Sequence, residues 1–237
     1  MHYINMEKFD RLINLIGDGD LKKLQNSRVV IFGIGGVGGY VCEGLARCFV
    51  GEFLLVDFDT VSKSNINRQI IATTDVVGQK KIDLMEQRIL SINPNAKVKK
   101  LDICVNKDNI DQIDFSCYDF VVDAIDMVTS KLLIIEKAKQ NNVNVISCMG
   151  TGNKLDATKL QIADISKTNY CPLAKIMRKE LKNRNLTQIP VLFSTEQPQK
   201  PKNSNNERKV APASIVFVPA VAGLLISQYV VTKILEN

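Results

Sequence analysis

Histidine and tryptophan are nearly missing from this chain of 237 residues, which has a single His, at position 2, and no Trp. A Ser-His-Asp triad or a His-rich metal site needs a histidine held in the fold, and His2 stands too close to the terminus to supply one. The six cysteines, at 42, 48, 104, 117, 148 and 171, include no C-x-x-C pair, which removes the zinc-knuckle reading. Most of them sit in apolar runs such as Ile103-Cys104-Val105, where free buried thiols are common. The N-terminal residues lack an apolar signal core, so a reducing cytoplasm is the expected setting.

Excess charge is also scarce, with 31 Lys and Arg against 25 acids and a net charge of +6. Its placement is uneven: nine of the cations and three of the acids lie between 172 and 209, and the remainder is neutral. Long apolar runs are few. One uncharged segment, 210–232, has 23 residues and could span a bilayer, for which about 20 suffice. It contains Pro212, Pro219, Ser214, Ser227 and Gln228, so it is read as a short strand followed by a buried or dimer-interface helix, with membrane association as the alternative.

What is present is an alternating pattern. Residues 28–32, a β-branched run, read as a buried strand and end in Gly33-Ile-Gly35-Gly36-Val-Gly38. Apolar residues then recur at helical spacing to about Gly51, and 53–57 is the next strand. Helices are expected over 80–91 and 130–141, and strands over 97–104, 119–123 and 143–147. Beyond Gly152 come a strand at 159–165, a basic helix at 173–184, a strand at 190–194 and a polar stretch, 196–209, read as a flexible loop. The fold class is therefore α/β: a Rossmann-like, doubly wound, mostly parallel sheet with helices on both faces and a C-terminal extension. One unit is expected over 1–237, with a nucleotide-binding core at 24–152.

Gly33-x-Gly35-x-x-Gly38, set between a strand and a helix, fits a phosphate cradle, and Asp57, at the end of the second strand, fits ribose hydroxyls. These features suit NAD as well as ATP. Adenylation adds a demand for Arg and Lys donors and a magnesium-binding carboxylate. Arg68, Lys80 and Asp126 supply those types from the C-terminal ends of strands or the turns after them, where doubly wound sheets bind ligands.

Gly33-Ile-Gly-Gly-Val-Gly38, Leu-Val-Asp57-Phe-Asp59, Asn65-Ile-Asn-Arg68-Gln69 and Asp123-Ala-Ile-Asp126 resemble the ubiquitin-activating-enzyme-like family of ATP-dependent adenylating enzymes. Met149-Gly-Thr-Gly-Asn-Lys154, Ala163-Asp-Ile-Ser-Lys167-Thr, Cys171-Pro-Leu-Ala174 and 213–223 are similar to the branch that acts on tRNA. The match runs from about Phe9 to the C-terminus, with Ala157 in place of an expected Pro. The resemblance implies that Asp57 holds the ribose, that Asn65, Arg68 and Lys80 contact phosphates, and that Asp126 holds Mg2+. Asp59 and Gln69 complete the ATP-binding set. Arg11 matches an arginine that reaches across a homodimer to the partner's ATP. Members that activate sulfur-carrier proteins carry two C-x-x-C zinc pairs, and their absence here favours the tRNA branch. That branch uses ATP to cyclise, by loss of water, the threonylcarbamoyladenosine beside the anticodon. The rival is adenylation of a ubiquitin-like sulfur-carrier C-terminus.

A monovalent cation (Na+ or K+) and sulfur-relay proteins are open additions to ATP, Mg2+ and tRNA. The part from 153 to 237 is expected to bind substrate and to dimerise. Lys175, Arg178, Lys179 and Lys182 recur at three- and four-residue steps and, with Arg184, form the expected tRNA-binding face. Lys200, Lys202, Arg208 and Lys209 add to the same basic stretch. Cys171 reads as a thioester-forming residue or as a helix-start feature ahead of Pro172.

Overall fold

The computed structural model describes residues 6–200 and 212–236. His2, Lys202, Arg208 and Lys209, together with the 201–209 part of the expected loop, lie outside the described residues. The strands are β1 (Arg28–Phe32), β2 (Glu52–Val56), β3 (Lys97–Leu101), β4 (Phe120–Asp123), β5 (Asn144–Cys148), β6 (Leu160–Asp164) and β7 (Pro190–Ser194). They form one seven-stranded sheet in the order β3-β2-β1-β4-β5-β7-β6. All neighbours run parallel except the β6–β7 pair. The chain order reverses between β1 and β4, which opens a crevice beyond the carboxyl ends of those strands.

Among the described residues six α-helices cover the sheet: α1 (Asp10–Asn26), α2 (Gly38–Arg47), α3 (Lys81–Ile92), α4 (Val128–Gln140), α5 (Pro172–Asn183) and α6 (Phe217–Glu236). The two-residue alternation of the strands sorts their side chains. Val29, Ile31, Phe53, Leu55 and Val122 face a layer made by α2, α3 and α6. Val30, Phe32, Leu54, Val56 and Val121 face α4 and α5. Both faces are thus buried, which is why the central strands read as nearly continuous apolar runs.

Two features depart from expectation. Helix α1 is not among the expected elements; Gly17 takes φ +81 and ψ 164 inside it and breaks its helical pattern. The short strand expected ahead of the C-terminal helix is not present among the described residues, where 212–216 is irregular. Helix α6 is long and apolar enough to cross a membrane by length and composition. Here Val218, Ala222, Ile226, Val230 and Ile234, at four-residue steps, are buried against the sheet and α2.

The α2–α6 contact is unusually close. A Cβ on Gly44 would lie 2.2 Å from Ser227 Oγ, and one on Gly223 would lie 2.5 Å from the Val37 carbonyl oxygen. In an exposed helix, Gly→Ala stabilises by about 1 kcal/mol. Gly44→Ala is expected to do the reverse and cost about 1–3 kcal/mol by overpacking. Ser227→Gly should relieve the clash in the double variant. Chemical unfolding of the three variants reads both effects, and a more stable Gly44→Ala protein would contradict this packing.

Candidate active site

A cavity of about 350 Å³ opens at the β1–β4 crevice, floored by the glycine turn and flanked by Asp57, Asp59, Arg68 and Asp126. The turn is built by backbone proximity. Gly33 has φ +86, and a Cβ on Gly38 would lie 1.8 Å from the Gly33 carbonyl oxygen. Only glycine lets α2 start so close to the end of β1, with its positive N-terminal end toward the cavity. Gly35 is open: the nearest atom to a Cβ there is Gln69 Nε2, at 3.8 Å. Gln69 is buried in the cavity wall, and its Oε1 has no hydrogen-bond partner among the described residues. An open glycine cradle and an orphaned polar atom fit a polar ligand such as ATP.

The Asp57 carboxylate bridges the turn. Its Oδ2 accepts from Ile34 N at 2.6 Å and its Oδ1 from Asp59 N at 2.8 Å. Each oxygen keeps a lone pair that a ribose hydroxyl can use. Asp59 accepts from Lys81 Nζ at 2.6 Å, and Lys81 is almost wholly buried in the cavity wall. Lys80 is the residue the sequence pointed to, and the structure places it elsewhere. Its Nζ donates to the Phe58 carbonyl at 3.0 Å and to Asp102 at 2.9 Å, and it does not line the cavity. The reason is local: Lys80 is extended at φ −65 and ψ 131, and Lys81 opens α3, so successive side chains diverge. Phe58, Ser130 and Pro219 also line the cavity; Phe58 and Pro219 lie within segments that carry the resemblance, and Ser130 carries no sequence signal.

Arg68 reaches the cavity while its Nη1 donates to the Ser64 carbonyl at 2.7 Å and to Asn67 Oδ1 at 2.9 Å. Asn65 lines the cavity too, although its Oδ1 accepts from Ser62 N at 3.0 Å and caps a short turn. Asp126 is exposed at the rim. The loop that carries it rests on a buried charge: Asp123 Oδ2 accepts from Lys131 Nζ at 2.9 Å and from Ser147 Oγ at 2.6 Å. Asp123 Oδ1 accepts from Ile125 N at 3.3 Å, one residue before Asp126. No cluster of three or more metal-type ligands exists among the described residues. A magnesium ion on Asp126 would draw its other ligands from phosphates and water, the usual coordination of that ion.

A second cavity, of about 600 Å³, shares Arg68, Asp126 and Thr151 with the first. Its far wall holds Lys154 and the start of α5, Cys171 to Leu173. Cys171 is buried, and its Sγ accepts from Ala174 N at 3.5 Å, so it caps α5. From that wall α5 presents exposed Lys175, Lys179 and Lys182, none ion-paired among the described residues. The two arginines of the expected tRNA face are engaged within the chain. Arg178 donates to the Thr168 carbonyl, and Arg184 pairs with Glu136 at 2.9 Å and Glu180 at 2.8 Å. Arg11 is exposed on α1 and lines neither cavity.

Comparison with known proteins follows the same outline. The tRNA threonylcarbamoyladenosine dehydratase of Bacillus subtilis is 38% identical over 98% of this chain and 96% of its own length. A crystal structure of the Escherichia coli tRNA N6-threonylcarbamoyladenosine dehydratase in complex with AMP superposes with a TM-score of 0.91 at 30% identity, covering 100% of this chain and 98% of that one. The adenylyltransferase and sulfurtransferase UBA4 of Vanderwaltozyma polyspora is 35% identical over 58% of this chain and 31% of that protein. The ThiF family pattern matches residues 9–237, and the chain belongs to the ThiF family.

Proposed function

We propose that the chain uses ATP to dehydrate the threonylcarbamoyladenosine beside the tRNA anticodon, closing it into a ring. The threonyl carboxylate attacks the α-phosphorus of ATP, forming an acyl-adenylate and releasing pyrophosphate. The neighbouring carbamoyl group then attacks the activated carbonyl, and AMP departs. Proximity within one substrate supplies much of the rate of the second step, so no protein nucleophile is needed. That agrees with a Cys171 that is buried and caps α5.

The observation that carries this reading is the junction of the two cavities. A nucleotide cradle opens directly into a chamber whose far wall begins the lysine-bearing helix α5. A substrate presenting one reactive group on a long polyanion fits that arrangement. Similarity to named dehydratases over nearly the whole chain supports it, whereas the sulfur-carrier activator matches only part.

In this reading Asp57 holds the ribose, and Lys81, Arg68 and Asn65 face the phosphates. Asp126 would hold magnesium, which neutralises phosphate charge. Arg11 serves the partner's site in a homodimer. Its place outside its own cavities and the exposure of Leu15 and Leu224 support that assembly. The six free thiols suit a reducing cytoplasm.

Incubation with ATP, magnesium and threonylcarbamoyl-modified tRNA should remove one water from the nucleoside mass; activity that depends instead on a Gly-Gly-ended carrier protein would replace this reading with the rival. Lys81→Ala should lower kcat/KM about 100-fold, the size of effect expected for a preorganised cation at developing charge. Lys80→Ala removes only a partly exposed ion pair, worth about 1 kcal/mol or less, and should stay within about fivefold. Equal losses in the two variants would refute the assignment. Reversing Lys179 and Lys182 to Glu should weaken tRNA binding by about tenfold or more, with a shallower salt dependence and unchanged ATP affinity. Filter binding across a salt series reads this, and an unaltered tRNA affinity would remove α5 from the interface.

A further inference from the structure

The second cavity has in its wall a buried lysine that the fold meets directly only with carbonyl oxygens. Lys154 is 3% exposed, and its Nζ donates to the carbonyl oxygens of Ser194 at 3.3 Å and Glu196 at 3.0 Å. An ammonium has three N–H donors, so one remains. Among the described residues no carboxylate accepts a hydrogen bond from it, and Glu196 acts on it only as a nearby charge. The nearby Glu196 carboxylate is occupied by Leu155 N at 3.1 Å, Asp156 N at 2.9 Å and Gln199 Nε2 at 3.3 Å. Burial pushes the Lys154 ammonium below its ordinary pKa, against the weaker opposing pull of Cys171 and Glu196. A buried cation whose direct partners are carbonyl oxygens, with its nearest carboxylate bonded elsewhere, is costly, and such a cost is tolerated where a ligand supplies a direct anionic partner.

A second feature acts in the same direction. The N-terminal turn of the 12-residue helix α5 forms part of the same wall, through Pro172 and Leu173. The positive end of its dipole therefore adds to the Lys154 charge. Both lie in a chamber that meets the phosphate cradle at Arg68, Asp126 and Thr151.

We propose that the second cavity is a carboxylate-binding subsite in which Lys154 holds one oxygen of the substrate's threonyl carboxylate. The other oxygen is then free to approach the α-phosphorus. The proposal rests on the dehydratase reading. It adds a selectivity: the chamber accepts the carboxylate-bearing side chain and disfavours a neutral one of the same shape.

The test uses two short anticodon stem-loop RNAs, one carrying threonylcarbamoyladenosine and one carrying its carboxamide. Affinities are measured with the full-length protein and a non-cleavable ATP analogue. The wild type should bind the acid about 10- to 100-fold more tightly than the amide, the range for a hydrogen bond to a charged group. Lys154→Met should bring the acid down to the affinity of the amide while the amide and the ATP analogue bind as before. Lys154→Arg should restore part of the preference. If Lys154→Met also loses the ATP analogue, Lys154→Gln, which keeps amide donors for the two carbonyls, gives the same comparison. Equal weakening of both RNAs, or an unchanged preference, would overturn the subsite and leave Lys154 a strap for the end of β7. Turnover by the wild type separates the two levels: no loss of water from the acid RNA with ATP sinks the dehydratase reading, whereas turnover with an unchanged acid preference in Lys154→Met sinks only the subsite.

Discussion

The nucleotide cavity depends on how closely helix α2 approaches its neighbours, and glycines set that distance on two sides. At its start, α2 meets the end of β1, where a Cβ on Gly38 would lie 1.8 Å from the Gly33 carbonyl oxygen. Along its length it meets α6, where a Cβ on Gly44 would lie 2.2 Å from Ser227 Oγ. The helix is therefore held both at the turn that cradles phosphate and at the layer behind it. Pro219 of α6 carries this contact into the site: it lines the cavity and lies 3.3 Å from where a Cβ on Gly36 would be. The C-terminal helix is thus part of the cradle, and the packing of its apolar residues serves the geometry of the phosphates.

Around that rigid floor, charged groups are held in place by partners of known position. Backbone N–H groups of Ile34 and Asp59 orient Asp57, and Asp59 holds Lys81. The loop before Asp126 is held by a carboxylate that Lys131 and Ser147 bond inside the protein. The fully buried Asp123–Lys131 pair gains little stability over an apolar pair, because both charges are desolvated. Its value lies in fixing the backbone beside a site where a developing charge must be met without reorganisation. Lys154 differs from all of these, being buried with only carbonyl partners.

The modest net charge of +6 gains meaning from the same geometry. The exposed lysines of α5 start at the wall of the second cavity and run outward. Arg178 and Arg184 share the helix in sequence but serve the fold, one tying α5 to the Thr168 carbonyl and the other bridging to α4. A basic stretch is thus divided by structure into cations that brace the helix and cations available to a polyanion.

Much of the fold and part of the site could be read from residue order alone. Alternating β-branched runs and helical spacing specify the β-α-β rhythm, because burial on both faces demands apolar strands whatever their neighbours. The glycine turn and Asp57 are legible for the same reason, since a phosphate cradle needs small residues and a carboxylate at set points along one βαβ unit. The choice between Lys80 and Lys81 is not legible. Two adjacent lysines are chemically identical, and only the start of α3 turns one into the cavity and the other toward Asp102. The apolar 210–232 segment is equally ambiguous, because hydropathy measures how much apolar surface must be covered and not what covers it. Contact with α2 and the sheet supplies the answer, just as the meeting of the end of β5, the loop after it and the start of α5 creates a second chamber whose walls come from separate motifs. Periodicity and turn chemistry, being local, were determined by the sequence itself; the facing of charges across the chain was decided only when distant segments packed together.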